Sequence, residues 1–173
     1  MPAPKKSAPT LRLELDRDGF AATERLIAYE MVNSMLLTTI ELQRVFAMRP
    51  LEYQIFTVIA MASVQRFIRQ HQRDPAFLDS TPLSAEHRGS ISRRRIAETL
   101  DLPLETVRRH VAHLIARGEI IETGRGLLST GGGTLRRSSE AGVMLNMAQR
   151  FLAVANRMVQ LDAARQESGS EFY

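Results

Sequence analysis

The chain has 173 residues, 44% hydrophobic and 24% charged, with 23 Lys and Arg against 19 Asp and Glu for a net charge of +4. That length and balance suit one compact domain with flanking helices rather than wholesale disorder, and the small basic excess fits a polyanionic partner without requiring one. The absence of cysteine excludes disulfides, thiolate catalysis and cysteine-based zinc fingers, and no run of about 18 apolar residues reads as a membrane span.

Residues 1–19 read as a flexible N-terminal arm. MPAPKKSAPT is proline-rich and carries two lysines but lacks the apolar centre of a signal peptide, so a cytoplasmic protein is expected. LRLEL alternates apolar and polar residues, the pattern of a short strand or an extended contact with a partner. Residues 20–50 form an N-terminal helical segment, with no Gly or Pro from Ala22 to Met48. There Leu26, Ile27, Met31, Met35, Leu36, Ile40, Leu42, Val45 and Phe46 cover too much circumference for a helix with one wet side. Burial on two faces is expected, one against its own domain and one against a second copy, with Pro50 ending the helix.

Residues 51–130 read as the central domain. A helix over 52–72 supplies Tyr53, Phe56, Val58, Ile59, Ala62, Val64, Phe67 and Ile68 to a core. A connector at 73–90, rich in Pro, Ser, Thr and Asp, follows, with a helical turn expected near Ala76–Leu78. Ser90-Ile91 suits a very short strand that pairs with a later hairpin. Ser92 is a good N-cap for a helix over Arg93–Leu100, with Ile96, Ala97 and Leu100 inward. After Asp101-Leu102-Pro103 a second helix begins, Pro103 standing where a first residue can lack its N–H, and it ends at Gly118. Glu119–Thr123 and Leu127–Thr130 flank Gly124-Arg125-Gly126, a hairpin with glycines for positive φ. GGGT at 131–134 reads as a hinge, residues 131–166 as a C-terminal segment with one long helix over Ser138–Arg165, and residues 167–173 as a frayed tail.

The order helix, turn, helix, hairpin over residues 90–130 resembles the winged helix-turn-helix of transcription regulators. With the flanking helices, residues 22–165 resemble MarR-like regulators, while GntR-like and Crp-like DNA-binding domains match the motif equally well. The chain departs from the MarR-like pattern in its single expected helix after the wing and its long connector. The resemblance implies a mainly α fold with a small β-hairpin wing and long N- and C-terminal dimerisation helices.

On the second motif helix, about 104–117, Val107, Val111, Leu114 and Ile115 share one side with Leu104, while Thr106, Arg109, His110, His113 and Arg117 fall opposite. A DNA reader needs that separation, because an apolar face anchors the helix while donors enter the major groove. Thr106, Arg109, His110 and His113 are therefore the candidate base contacts. Ser92, Arg93, Arg94, Arg95 and Arg108 are candidate phosphate contacts, joined by Arg125 at the tip of the wing, about 119–130. Arg136 and Arg137 either add phosphate contacts or simply begin the last helix.

His110 and His113 have a spacing that could hold a metal, but no carboxylate or cysteine completes a ligand set. His71 and His87 show no partner in the sequence. No metal, cofactor, phosphate loop or catalytic constellation is expected, so the chain does not read as an enzyme. Double-stranded DNA and a second copy are the expected partners, with a small-molecule effector between terminal helices and core as an additional one. The alternative is a winged-helix protein–protein interaction module that binds no DNA.

Overall fold

The structure, a computed structural model, describes residues 11–71 and 79–168. It is mainly helical with two small antiparallel sheets. The chain divides into two compact units. Among the described residues, one joins 11–38 to 145–168, and the other lies within 39–144.

Strand β1 is Leu11–Leu15, and helix α1 runs from Arg17 to Phe46. Its end is not set by Pro50. Ala47 adopts a left-handed φ of 48°, its N–H donates to the Arg44 carbonyl, and the Met48 N–H donates to that of Gln43. These are the two bonds of a Schellman motif. Pro50 instead opens helix α2, Pro50–His71, as its first residue, where the missing N–H is harmless.

In the unit of residues 39–144 the described part of the connector makes a 3-10 turn at Ala85–His87 and reaches β2, Ile91–Ser92. The turn expected at Ala76–Leu78 lies outside the described residues. Helix α3 is Arg93–Leu100, capped by the Ser92 side chain, which accepts from the Arg95 N–H at 3.2 Å. Asp101 then takes a left-handed φ of 51° and turns the chain into helix α4, Leu104–Ala116. Pro103 precedes the first helical residue of α4. Gly118, at φ 71°, ends α4 in a second Schellman motif, its N–H on Ile115 and that of Glu119 on Leu114. A β-carbon at that φ would clash with its own backbone, so Gly is the suitable residue.

Strands β3, Ile120–Thr123, and β4, Leu127–Thr130, form the expected hairpin, and β2 pairs on the far side of β4 with Ile91 opposite Leu128. Positive φ falls on Arg125 (67°) and Gly126 (73°), not on Gly124 as the two glycines had suggested. The core between these elements is built of apolar side chains. Ile55, Ile59, Ile96, Val107, Val111, Leu114 and Leu128 are fully buried, each such side chain contributing about 1.5–3 kcal/mol of transfer free energy.

The expected single C-terminal helix is two helices, α5 at Thr134–Glu140 and α6 at Val143–Gln160, because Gly142 adopts φ 74° between them. Strand β5, Ala164–Ser168, follows within the expected last helix and the start of the frayed tail. In the unit that joins the chain ends, β5 pairs antiparallel with β1, Leu13 opposite Gln166. LRLEL is therefore a strand rather than part of a loose arm. Asp16 caps α1 by accepting from the N–H groups of Asp18 and Gly19 and pairs with Arg165. These contacts, the Gly19 amide foremost, hold its carboxyl below the usual carboxylate range.

Candidate nucleic-acid interface

Helix α4 carries the candidate base contacts on a frame fixed from behind. Val107, Val111 and Leu114 have no exposed surface, and at about 100° per residue the opposite side is centred on Arg109. Arg109 is exposed and makes no hydrogen bond or ion pair among the described residues. Ala112 and Ala116, both exposed, share that face and add almost no bulk beside the guanidinium. Thr106 and His110 are half-buried on its flank and are also without a side-chain partner.

The C-terminal half of the same flank is pinned. His113 Nδ1 lies 2.6 Å from Glu52 Oε1, so the ring N–H donates to a carboxylate that is almost wholly buried on α2. Arg117, expected among the outward donors, turns back to α1. Its guanidinium donates to the carbonyls of Phe46 (2.6 Å) and Ala47 (3.0 Å) and pairs with Glu52 and Glu119. The last carbonyls of a helix have no partner within it, and an arginine there satisfies them and faces the negative end of the helix dipole. Arg137 does the same for Val45 at 2.8 Å, while it grips Glu119 with one nitrogen and covers the Phe46 ring at 4.6 Å. Arg136 pairs with Glu140 one turn on.

The candidate phosphate contacts divide in the same way. Arg93 spans the two motif elements, with Nη2 2.7 Å from Glu122 Oε2 on β3 and Nη1 donating to the Gly126 carbonyl at 3.2 Å. This clamp holds the hairpin against the start of α3, and the Arg93 hydrogen bond keeps the Glu122 carboxyl below its ordinary range. Arg94 and Arg95 both bind Glu98 across one turn while staying exposed, and Arg108 binds Glu105 likewise. Glu98 is held below its ordinary range by the Arg94 hydrogen bond first, then by that of Arg95. The Ser92 hydroxyl is occupied as the α3 cap. Arg125 stands exposed at the hairpin tip with no partner among the described residues. The structure thus leaves Arg109 and Arg125 as unpaired guanidiniums and gives Arg93 an internal bond network.

Ser63 is a positioning residue that no sequence pattern marked. It is fully buried on α2, donates to the Ile59 carbonyl at 2.7 Å, and accepts from the Thr130 N–H at 3.0 Å and the Ser129 hydroxyl at 3.2 Å. Its own carbonyl accepts from the Gly89 N–H at 2.8 Å. One residue therefore fastens both the connector and β4 to α2. A serine in a helical apolar stretch reads as a neutral filler, and only the β4 backbone meeting it gives it a task. His87, which showed no partner in the sequence, bonds Ser84 at 2.8 Å and sets its ring edge-on to Phe67.

Two concavities open in this unit. One, of about 260 Å³, is walled mainly by Phe46, Tyr53, Phe56, Val64, Phe67 and Leu135. The other, about 670 Å³, is lined largely by arginine and glutamine residues and lies along the last turns of α2. Among the described residues no three His, Cys, Asp or Glu side chains gather in a group that could hold a metal ion, and no helix is long and apolar enough to cross a membrane. No protein-family model matches the chain, and neither the curated proteins nor the solved structures provide a match.

Proposed function

We propose that the chain is a sequence-specific DNA-binding transcription regulator of winged helix-turn-helix type, acting in the cytoplasm as a homodimer and binding rather than transforming its partner. The observation that carries this reading is the exposed face of α4. An unpaired Arg109, flanked by Thr106 and His110 and bordered by small residues, projects from a helix anchored on its opposite face by the buried Val107, Val111 and Leu114. Arginine there can span guanine O6 and N7, and the alanines let the helix approach base edges closely. Arg125 on the β3–β4 tip is available to a flanking phosphate or the minor groove. His113 and Arg93 take positioning roles here, the first setting the pitch of α4 against α2 and the second holding the wing.

Dimerisation is supported by apolar residues that the chain leaves in solvent. Tyr29, Val32, Met35 and Leu36 on α1 and Leu145 and Leu152 on α6 are each more than half exposed. Surfaces of that kind on a soluble protein mark association. The same surface could serve the interaction-module reading, which a duplex-binding experiment separates. An apolar small-molecule effector would find room in the 260 Å³ cavity, whose polar edge is formed by Thr57, Arg88 and Arg136.

The test is selection of bound sequences from a random duplex library, followed by a salt titration on the selected site. A two-fold symmetric consensus and affinity falling steeply with salt are expected. Arg109→Ala should cost about 1–3 kcal/mol on the consensus and relax preference at one position in each half-site. If the wild type retains no duplex at low salt but associates with a helical protein partner, the interaction-module reading replaces this one.

A further inference from the structure

The concavity of about 670 Å³ is lined by Arg66, Arg69, Arg88 and Arg95 together with Gln65 and Gln70, and no Asp or Glu is among its lining residues. We propose that it is a second phosphate-binding surface, taking the sugar-phosphate backbone of DNA that flanks the bases read by α4. This rests on the DNA-binding reading above.

Three observations carry it. Gln65, Arg66, Arg69 and Gln70 recur at the spacing of one helix face, so α2 presents donors as a stripe along its last turns. Arg66 and Arg69 are exposed and have no hydrogen-bond or ion-pair partner among the described residues. Arg95 belongs both to this concavity and to the first turn of α3, so the stripe is continuous with the arginines that open the motif.

The connector is built to complete the surface. A β-carbon on Gly89 would lie 2.4 Å from the Ala62 carbonyl oxygen, so only glycine lets the backbone press onto α2 there. That approach brings Arg88 and Ser90 to the stripe, and Arg88 is held by its bond to the Thr130 carbonyl at 2.8 Å.

The occupant follows from shape and solvation. A compact anion is gripped by convergent, desolvated donors, whereas these guanidiniums are spread along an open trough and three of the four are exposed. Spread, hydrated cations suit a linear polyanion, where neutralising each phosphate releases condensed counterions.

The experiment compares the full chain with Arg66→Ala/Arg69→Ala, Arg66→Lys/Arg69→Lys and, as a charge control elsewhere, Arg17→Ala/Arg25→Ala. Each is titrated with salt on a selected duplex with long flanks, folding being checked by circular dichroism. The alanine pair removes four arginines from a bound dimer, so it should lower the slope of log affinity against log salt by roughly 3.6, four phosphates at about 0.9 each, and weaken binding at least about tenfold at low salt. Base preferences should not change, and the lysine pair should keep the wild-type slope.

An alanine pair with the wild-type slope, a lysine pair as weak as the alanine pair, or an equal loss in the charge control would overturn this inference while leaving DNA binding by α4 intact. So would binding of inorganic pyrophosphate that depends on Arg66 and Arg69 with no change in duplex binding. A wild type that binds no duplex at low salt overturns the DNA-binding reading and this inference together.

Discussion

The two units of the chain handle apolar surface in opposite ways. In residues 39–144 short elements converge on Ile55, Ile59, Ile96, Val107, Val111 and Leu114, all without exposed surface, and polar groups in that core are satisfied by hydrogen bonds. In the unit made from the chain ends, Ile27, Val154, Ala163 and Ala164 are buried while Tyr29, Val32, Met35 and Leu36 stand in solvent. The first unit closes its core within one chain and leaves Met61, Ile68 and Leu135 exposed around its apolar cavity. The second leaves more apolar side chains exposed, and the proposed dimerisation rests on that difference.

The sharpest way to break the contrast is to hollow the closed core. Leu114→Ala removes a fully buried side chain between α4 and the rest of its unit, and a loss of about 2–5 kcal/mol is expected in chemical denaturation. A loss under 0.5 kcal/mol would mean that α4 is not anchored as described. Ser63→Ala should cost less, about 1–3 kcal/mol, since it strands the buried Thr130 N–H. Its signature should be local, with faster amide exchange at Thr130 and Gly89.

On the open side, Val32→Glu/Leu36→Glu should change the stability of the monomer by no more than about 0.5 kcal/mol, because both positions are exposed. If the proposed dimer forms through this face, the mass measured by light scattering should fall from dimer to monomer. A mass unchanged by the pair would remove this face of α1 from the interface.

The smallest effect concerns the wing. Because its folded pKa is depressed, Glu122 contributes stability above its unfolded pKa and loses it as pH falls through the folded value. The Arg93 clamp should therefore hold from neutral pH to about pH 4–5 and loosen below that. Exchange of the Gly126 amide, corrected for intrinsic rates, should report it, and Glu122→Gln should be flat over the same range.

Much of the motif was legible because its signals are local. The Ser92 cap, the Pro103 boundary, the Gly118 terminus and the separation of Val107, Val111 and Leu114 from Arg109 depend on a few neighbouring residues and on helical periodicity. The misreadings share the opposite cause. Ala47 and Gly142 show how left-handed residues end helices where no proline does. The C-terminal helix was read as unbroken because its apolar spacing continues across Gly142. Arg117 and Arg137 read as outward cations because the backbone carbonyls they bind are far away in sequence. The carbonyls that claim them belong to Val45, Phe46 and Ala47, about 70 and 92 positions away.

The sequence by itself determined the helical content, the order of motif elements and the face of α4 that must be buried, because periodicity and capping act over one or two turns. Only the tertiary structure decided which cations are free. A guanidinium is available to a polyanion when no carbonyl or carboxylate of the fold lies within its reach, and long-range packing sets that. It occupied Arg93, Arg117, Arg137 and His113, and it left Arg109, Arg125, Arg66 and Arg69 facing solvent.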